Sequence, residues 1–299
     1  MEKSMRRLSR RADSQTKSTL NNTIERNLEL PNGLRPLGPV VREPANSKSQ
    51  LKCVTTMTIQ NRNILIVTAH PEQRSFNHAL TKSATSALLA AGHDVVLSDP
   101  YAENFDASSG PGDFTARADA DHLHYQNEQT NAVRTKSFAP DIAREQAKLA
   151  AADVVIFQFP LWWGGPPAIL KGWLDRVLAY GFAYVDGYRF DTGLFRGRHA
   201  ILSVTTGGTP ARFSDDGVYG PIEQLLRPIK RGALEYMGFE VAPSFVCYGA
   251  PRMSEEDRQA HLSLWAKQVL EIARLPTDRS RYPADPLSLV EDGAWARGR

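Results

Sequence analysis

Phe157-Gln158-Phe159-Pro160-Leu161-Trp162-Trp163-Gly164-Gly165-Pro166-Pro167-Ala168-Ile169-Leu170-Lys171-Gly172-Trp173 is the stretch on which the fold turns. It closes an apolar run from Asp153 to Phe159 that reads as a buried parallel strand. The strand breaks at Pro160, and a helix restarts after Pro166-Pro167. Two tryptophans occupy the break. In a parallel α/β sheet ligands bind beyond the carboxyl ends of strands, so aromatics there suit a wall for a flat ring. The alternative reading is that Trp162 and Trp163 cap the core.

Outward from this stretch, strands and helices alternate. Strands are predicted at Asn63–Thr68, Asp94–Ser98, His199–Thr205 and Glu240–Cys247. Helices are predicted over 75–91, 141–150, 166–180, 221–237 (with Pro228 kinking or splitting it) and 254–274. This order implies a parallel sheet covered on both faces. Residues 99–139 are polar and long for a plain connection, which marks a functional excursion.

Charge is unevenly placed. Residues 1–60 hold 11 basic and 5 acidic side chains, whereas the remainder holds 25 and 28. The first segment is Ser-, Asn- and Arg-rich and broken by prolines, so it reads as a disordered basic extension, with Met57 as an alternative start. Residues 61–275 form the folded domain in this reading, and 276–299 a surface tail. The mildly acidic domain carries no electrostatic footprint for nucleic acid. Cys53 and Cys247 form neither a disulfide framework nor a metal motif, which fits a reducing, cytoplasmic setting. No apolar run approaches the roughly 20 residues that span a bilayer.

Two further strand ends carry chemistry. After the first strand, Ala69-His70-Pro71-Glu72-Gln73-Arg74-Ser75-Phe76-Asn77 leads into a helix N-terminus, which can hold a phosphate. Ser75, Asn77 and His70 could add hydrogen bonds; a plain serine cap beside an exposed histidine is the competing reading. After the fourth strand, Thr205-Thr206-Gly207-Gly208 allows backbone N–H groups to approach a ring, or makes an ordinary turn. Neither a GxGxxG nor a GxxxxGK[ST] pattern follows the first strand, which disfavours a dinucleotide fingerprint and a P-loop.

Taken together, AHPEQRSFN (69–77), IFQFPLWWGGPPAILKGWLDRV (156–177) and AILSVTTGG (200–208) resemble the NAD(P)H:quinone oxidoreductase (DT-diaphorase) family. GFAY (181–184) and APDI (139–142) add to the likeness, which covers about residues 62–274 in consistent order. The resemblance implies a flavodoxin-like fold, a five-stranded parallel sheet of order 2-1-3-4-5. It further implies a tightly bound FAD, NADH or NADPH as co-substrate, and two-electron, ping-pong hydride transfer to a quinone in a homodimer. On matching motifs, His70, Ser75, Phe76 and Asn77 would meet the FAD phosphates. Pro160, Leu161, Trp162, Trp163 and Gly164 would flank the ring, and Thr205, Thr206, Gly207 and Gly208 its polar edge. Gln126 and Arg258 would serve the adenine half. Ala183, Tyr184 and Val185 would line the substrate site across the dimer interface, with Phe213 beside it; no metal is implied.

Two departures stand out. Where well-studied members carry Tyr and His after TTGG, this chain has Phe213 and Tyr219, which leaves Tyr219 as the one plausible hydrogen-bond donor of the pair and a candidate catalytic residue. The long C-terminal extension of larger mammalian members is also missing. Other readings on the same fold are an azo- or nitroaromatic reductase, a flavin-bound regulatory subunit of a potassium-efflux system, and a one-electron carrier.

Overall fold

A computed structural model describes residues 60–290. The expectations placed on residues 1–60 therefore lie outside the described residues, apart from Gln60, as do those on 291–299. Strand β1 (Asn63–Thr68) sets the pattern for the whole domain. Its alternate side chains go to opposite faces, as a pleated strand requires. Ile64 and Ile66 join one core with Leu80 and Leu88, while Leu65 and Val67 join another with Trp173 and Leu226.

The strands are β2 (Asp94–Ser98), β3 (Val154–Pro160), β4 (His199–Thr205), β5 (Glu240–Val241) and β6 (Phe245–Cys247). The order is β2-β1-β3-β4-β5, with β6 also pairing β4, and all pairs are parallel. Helices α1 (Phe76–Ala90) and α6 (Glu255–Ala273) cover one face, through Leu80, Leu88, Trp265 and Val269. The other face is covered by α3 (Pro140–Ala151), α4 (Ala168–Val177) and α5 (Ile222–Ile229), through Leu149, Trp173, Val177 and Leu226. This is the flavodoxin-like arrangement read from the sequence.

The structure adjusts three expectations. The single fifth strand splits: Ala200 pairs Val241 but Ser203 pairs Phe245, so four residues on one strand match three on the other. The extra residue makes a bulge where Pro243 cannot donate to the ladder. The excursion contains a helix of its own, α2 (Tyr125–Thr135). After Pro228, α5 passes into a π-helix at Lys230–Glu235, so that proline changes the helix type.

The tail also changes character. Over 276–290 it is surface-bound but anchored, since Tyr282 donates to the Phe182 carbonyl at 2.7 Å and packs 5.1 Å from the Phe195 ring. Leu287, Leu289 and Val290 pack on the core behind it. Apolar burial, invisible in a segment without periodicity, holds it there.

The excursion lies against α4 so closely that a Cβ on Gly172 would come within 2.2 Å of the Ala107 carbonyl oxygen. Gly-to-Ala usually stabilises a helix, but here the neighbour is backbone and cannot swing away. Gly172→Ala is therefore expected to cost about 1–3 kcal/mol. Urea denaturation checks the sign; a stabilised variant would mean the loop yields freely.

Candidate active site

The carboxyl ends of β1, β3 and β4 converge on two adjoining cavities of about 430 and 530 Å³. Leu161, Thr206 and Gly207 line both. The β3 end is built by a tight reversal. Trp162 N–H donates to the Gly165 carbonyl at 2.9 Å, and Gly165 N–H returns the bond at 3.0 Å. The two central residues, Trp163 (φ 48°) and Gly164 (φ 74°), both have left-handed backbones, the requirement of a type I′ turn. Glycine accepts that geometry; a tryptophan pays strain for it. The Trp163 side chain is also fully exposed at 106 %, and Trp162 at 43 %. An exposed, strained aromatic has no core-packing purpose, which removes the capping reading for Trp163.

At the β1 end, Ser75 caps α1 by accepting from His78 N–H at 3.4 Å, which leaves its hydroxyl hydrogen available. His70 Nδ1 accepts from the Glu72 N–H at 3.1 Å, so in the neutral ring Nε2 carries the proton and can donate outward. Burial holds the His70 pKa below the usual histidine value, so the ring is neutral at pH 7. His70, Ser75, Phe76 and Asn77 all line the smaller cavity, together with Pro160, Leu161, Trp162, Thr205, Thr206, Gly207 and Arg258. The Arg258 guanidinium sits 5.2 Å over the Phe76 ring, fixing one end of that cavity.

Asn77 has structural work besides. Its amide accepts from Gln158 Nε2 at 2.9 Å and donates to Thr205 Oγ1 at 3.0 Å, tying α1 to β3 and β4 beneath the cavity floor. Gln158 is the one polar side chain in β3, wholly buried, and its Oε1 has no partner. That single glutamine in an apolar strand is the sequence signal for it, and the motif reading passed it over.

At the β4 end, Thr206 Oγ1 accepts from Gly208 N–H at 3.2 Å and shapes the turn. Among the described residues the Gly207 N–H finds no acceptor. Gly164, Gly208, Phe213 and Tyr219 line the larger cavity with Trp163, Arg212, Leu225 and Arg252. The Phe213 ring is buried, 5.1 Å from Tyr219 and 5.8 Å from Tyr248.

A model of the flavodoxin-like fold matches residues 62–269. The chain is 42% identical over 213 residues to mouse ribosyldihydronicotinamide dehydrogenase [quinone], covering 71% of this chain and 92% of that relative. It is 42% identical over 209 residues to rat NAD(P)H dehydrogenase [quinone] 1, covering 70% and 76%. The chain belongs to the flavodoxin-like NAD(P)H:quinone oxidoreductase family. A solved structure described as a candidate quinone reductase from Klebsiella pneumoniae superposes with a TM-score of 0.68 at 37% identity, over 73% of this chain and 87% of that one.

In this quinone oxidoreductase chain, four of the expected positions stay away from both cavities. The side chains of Ala183 and Val185 are enclosed in the core, because the turn closed by Ala183 N–H to the Ala179 carbonyl (2.8 Å) points them inward. Within this chain their side chains present no surface to a ligand. Tyr184 stacks edge-on against Tyr180 and Tyr236, at 5.4 and 6.0 Å. Gln126 sits on the first turn of α2, on the excursion. Arg212, Leu225, Pro251 and Arg252 are lining residues that no motif announced.

Proposed function

We propose that this chain reduces quinones by two electrons at the expense of NAD(P)H, in alternating half-reactions at one site that holds FAD. The observation that carries the proposal is the pairing of a strained, exposed Trp163 with a glycine turn across adjoining cavities, in a chain 42% identical to named quinone dehydrogenases.

The residues present fit a flavin. A Cβ on Gly207 would meet no protein atom within 4 Å, so a side chain there would project into the shared cavity space. Gly207, whose N–H has no acceptor among the described residues, lines both cavities, and Trp162 and Trp163 supply ring surface. When bound, the flavin supplies the two-electron relay between reductant and acceptor. The protein binds, orients and excludes water. His70 Nε2, the Ser75 hydroxyl and the α1 N-terminus offer donors to phosphate, and Arg258 over Phe76 forms a platform suited to an adenine half. That platform supports FAD over a shorter flavin. Leu161, Phe213 and Leu225 keep the larger cavity apolar beside the ring site.

Homodimerisation and a reducing, cytoplasmic setting belong to the same proposal; free, buried Cys247 suits the second. Among the described residues no helix is long and apolar enough to cross a membrane.

The test is direct. Purified protein should be yellow, release FAD on denaturation, and oxidise NADH or NADPH faster when a benzoquinone is added. A yellow protein without quinone-stimulated turnover would favour a regulatory role, and a colourless one that takes up no FAD would remove the flavin reading. Tyr219, half-exposed in the larger cavity, is the donor assigned to the acceptor side. Tyr219→Phe is expected to slow reoxidation of the reduced enzyme by quinone about ten-fold, the worth of one hydrogen bond near 1.4 kcal/mol. Unchanged stopped-flow rates in both half-reactions would end that assignment.

A further inference from the structure

Among the described residues no carboxylate lines either cavity; the charged or chargeable groups there are His70 and Arg258 in the smaller, Arg212, Tyr219 and Arg252 in the larger. In a domain whose overall balance is slightly acidic, this is a local reversal of sign. His70 and Arg258 are accounted for by the proposed cofactor, the first by its phosphates and the second by its adenine half. Arg212 and Arg252 are not.

We propose that Arg212 and Arg252 form an anion clamp that reads the phosphates of the reducing dinucleotide as it enters the larger cavity. They thereby set this enzyme's preference for a phosphate-bearing reductant over a phosphate-free nicotinamide riboside. The assignment rests on the quinone-reductase reading above. Its interest lies in the relatives, whose names divide between ribosyldihydronicotinamide and NAD(P)H as reductant.

Both arginines are mounted on rigid short turns. Arg212 lies in the turn Pro210–Phe213, where its N–H donates to the Thr209 carbonyl at 3.0 Å and its carbonyl accepts from Tyr219 N–H at 3.0 Å. Gly217 packs so tightly over this turn that a Cβ would meet the Ala211 and Arg212 carbonyl oxygens at 2.5 Å. Arg252 closes the turn Ala250–Arg252, and its Nη2 donates to the Gly207 carbonyl, which seats the guanidinium beside the glycine turn. Among the described residues the Arg212 guanidinium has no acceptor or carboxylate partner. Asp215 and Asp216 are exposed on the following loop and line neither cavity.

Each guanidinium keeps donors free in a planar fork, the geometry that suits phosphate oxygens. A nicotinamide stacked in the Trp163 cavity would carry its diphosphate outward, towards the cationic rim. A riboside has no such group and gains nothing from the pair.

Flavin-loaded full-length protein, with a neutral benzoquinone as acceptor, is assayed with NADH, NADPH and ribosyldihydronicotinamide. In Arg212→Gln and in Arg252→Gln, the ratio of kcat/KM for NADH to that for the riboside should fall about ten-fold each. Arg252→Lys retains a donor to Gly207 and should recover part of the loss. Calorimetric titration of ADP-ribose into the flavin-loaded protein should show a Kd weakened by a similar factor, and binding that weakens with salt in the parent more than in the variants. Ratios unmoved in both variants overturn the clamp. So does a loss that tracks the charge of the acceptor, with a sulfonated quinone affected and the reductant ratio intact. Should no reductant, riboside included, drive quinone turnover, the quinone-reductase reading fails, and the ADP-ribose titration still decides the arginine pair.

Discussion

Gly207→Leu is expected to give a folded protein that no longer retains flavin. Two features separate binding from folding at this position. Gly207 is not among the glycines with left-handed backbone, so leucine can adopt its φ. A Cβ there would also touch nothing within 4 Å, so no protein group must move. Stability should stay within about 0.5 kcal/mol of the parent, as for most surface substitutions. The side chain instead fills space that both cavities share. Forcing it against a bound ring should weaken flavin affinity on the order of 100-fold, or about 2.8 kcal/mol, the upper part of the usual overpacking range. The neighbouring Gly208→Ala is a contrast, because its Cβ would strike Phe213 Cε2 at 2.5 Å and disturb the protein itself. Absorbance at the flavin band after gel filtration, beside a urea melt, reads both quantities. A leucine variant that stays yellow would show the ring lies elsewhere.

Arg176→Met should lose about 3–5 kcal/mol, the usual cost of breaking a buried ion pair from one side. Arg176 on α4 is 3 % exposed and pairs with Asp113 Oδ1 at 2.9 Å and Asp141 Oδ2 at 2.8 Å. It also donates to the Asp106 carbonyl at 2.8 Å and lies 4.7 Å over the Phe105 ring. Tyr125 donates to the other oxygen of Asp113. One guanidinium thus holds both ends of the excursion, 105–113 and 125–141, against the core. With methionine in its place, Asp113 remains buried at 2 % exposure without its cation. For a domain of this size the midpoint should fall by roughly 10 °C. Pairing it with Asp113→Leu should recover part of the loss, because the charge then left without its cation, Asp141, is partly exposed to solvent rather than buried. A single variant that melts with the parent would show that the excursion is held by apolar contacts alone.

How much was legible can be judged element by element. β1, β2 and β4 fall at the residues their apolar runs indicated: β1 and β4 are buried on both faces, while β2 is the exposed edge strand, marked by the turn formers that bound it. α6 begins where Ser254 and the acidic run after it placed its cap. By contrast, α2 (YQNEQTNAVRT) has no apolar stripe; its order comes from Glu128 accepting from Ala118 and Asp119 N–H and from the buried Asp113–Tyr125 contact. The split of the last strand depended on register against β4, and register is a property of two strands at once.

At the site, His70, Ser75, Phe76, Trp162, Trp163 and the Thr205–Gly208 turn were readable because each sits within a few residues of a strand end, where the sheet delivers it to one edge. Residues 61–290 carried their fold class and the three strand-end motifs in local pattern alone. What only the tertiary structure decided were the relations across sequence distance. It enclosed Ala183 and Val185 in the core, left Trp163 strained and exposed, and brought Arg212 and Arg252 to one cavity from turns 40 residues apart in number. Periodicity reports which face of an element is apolar. It does not report which side chains from distant loops meet, because that depends on how the elements pack.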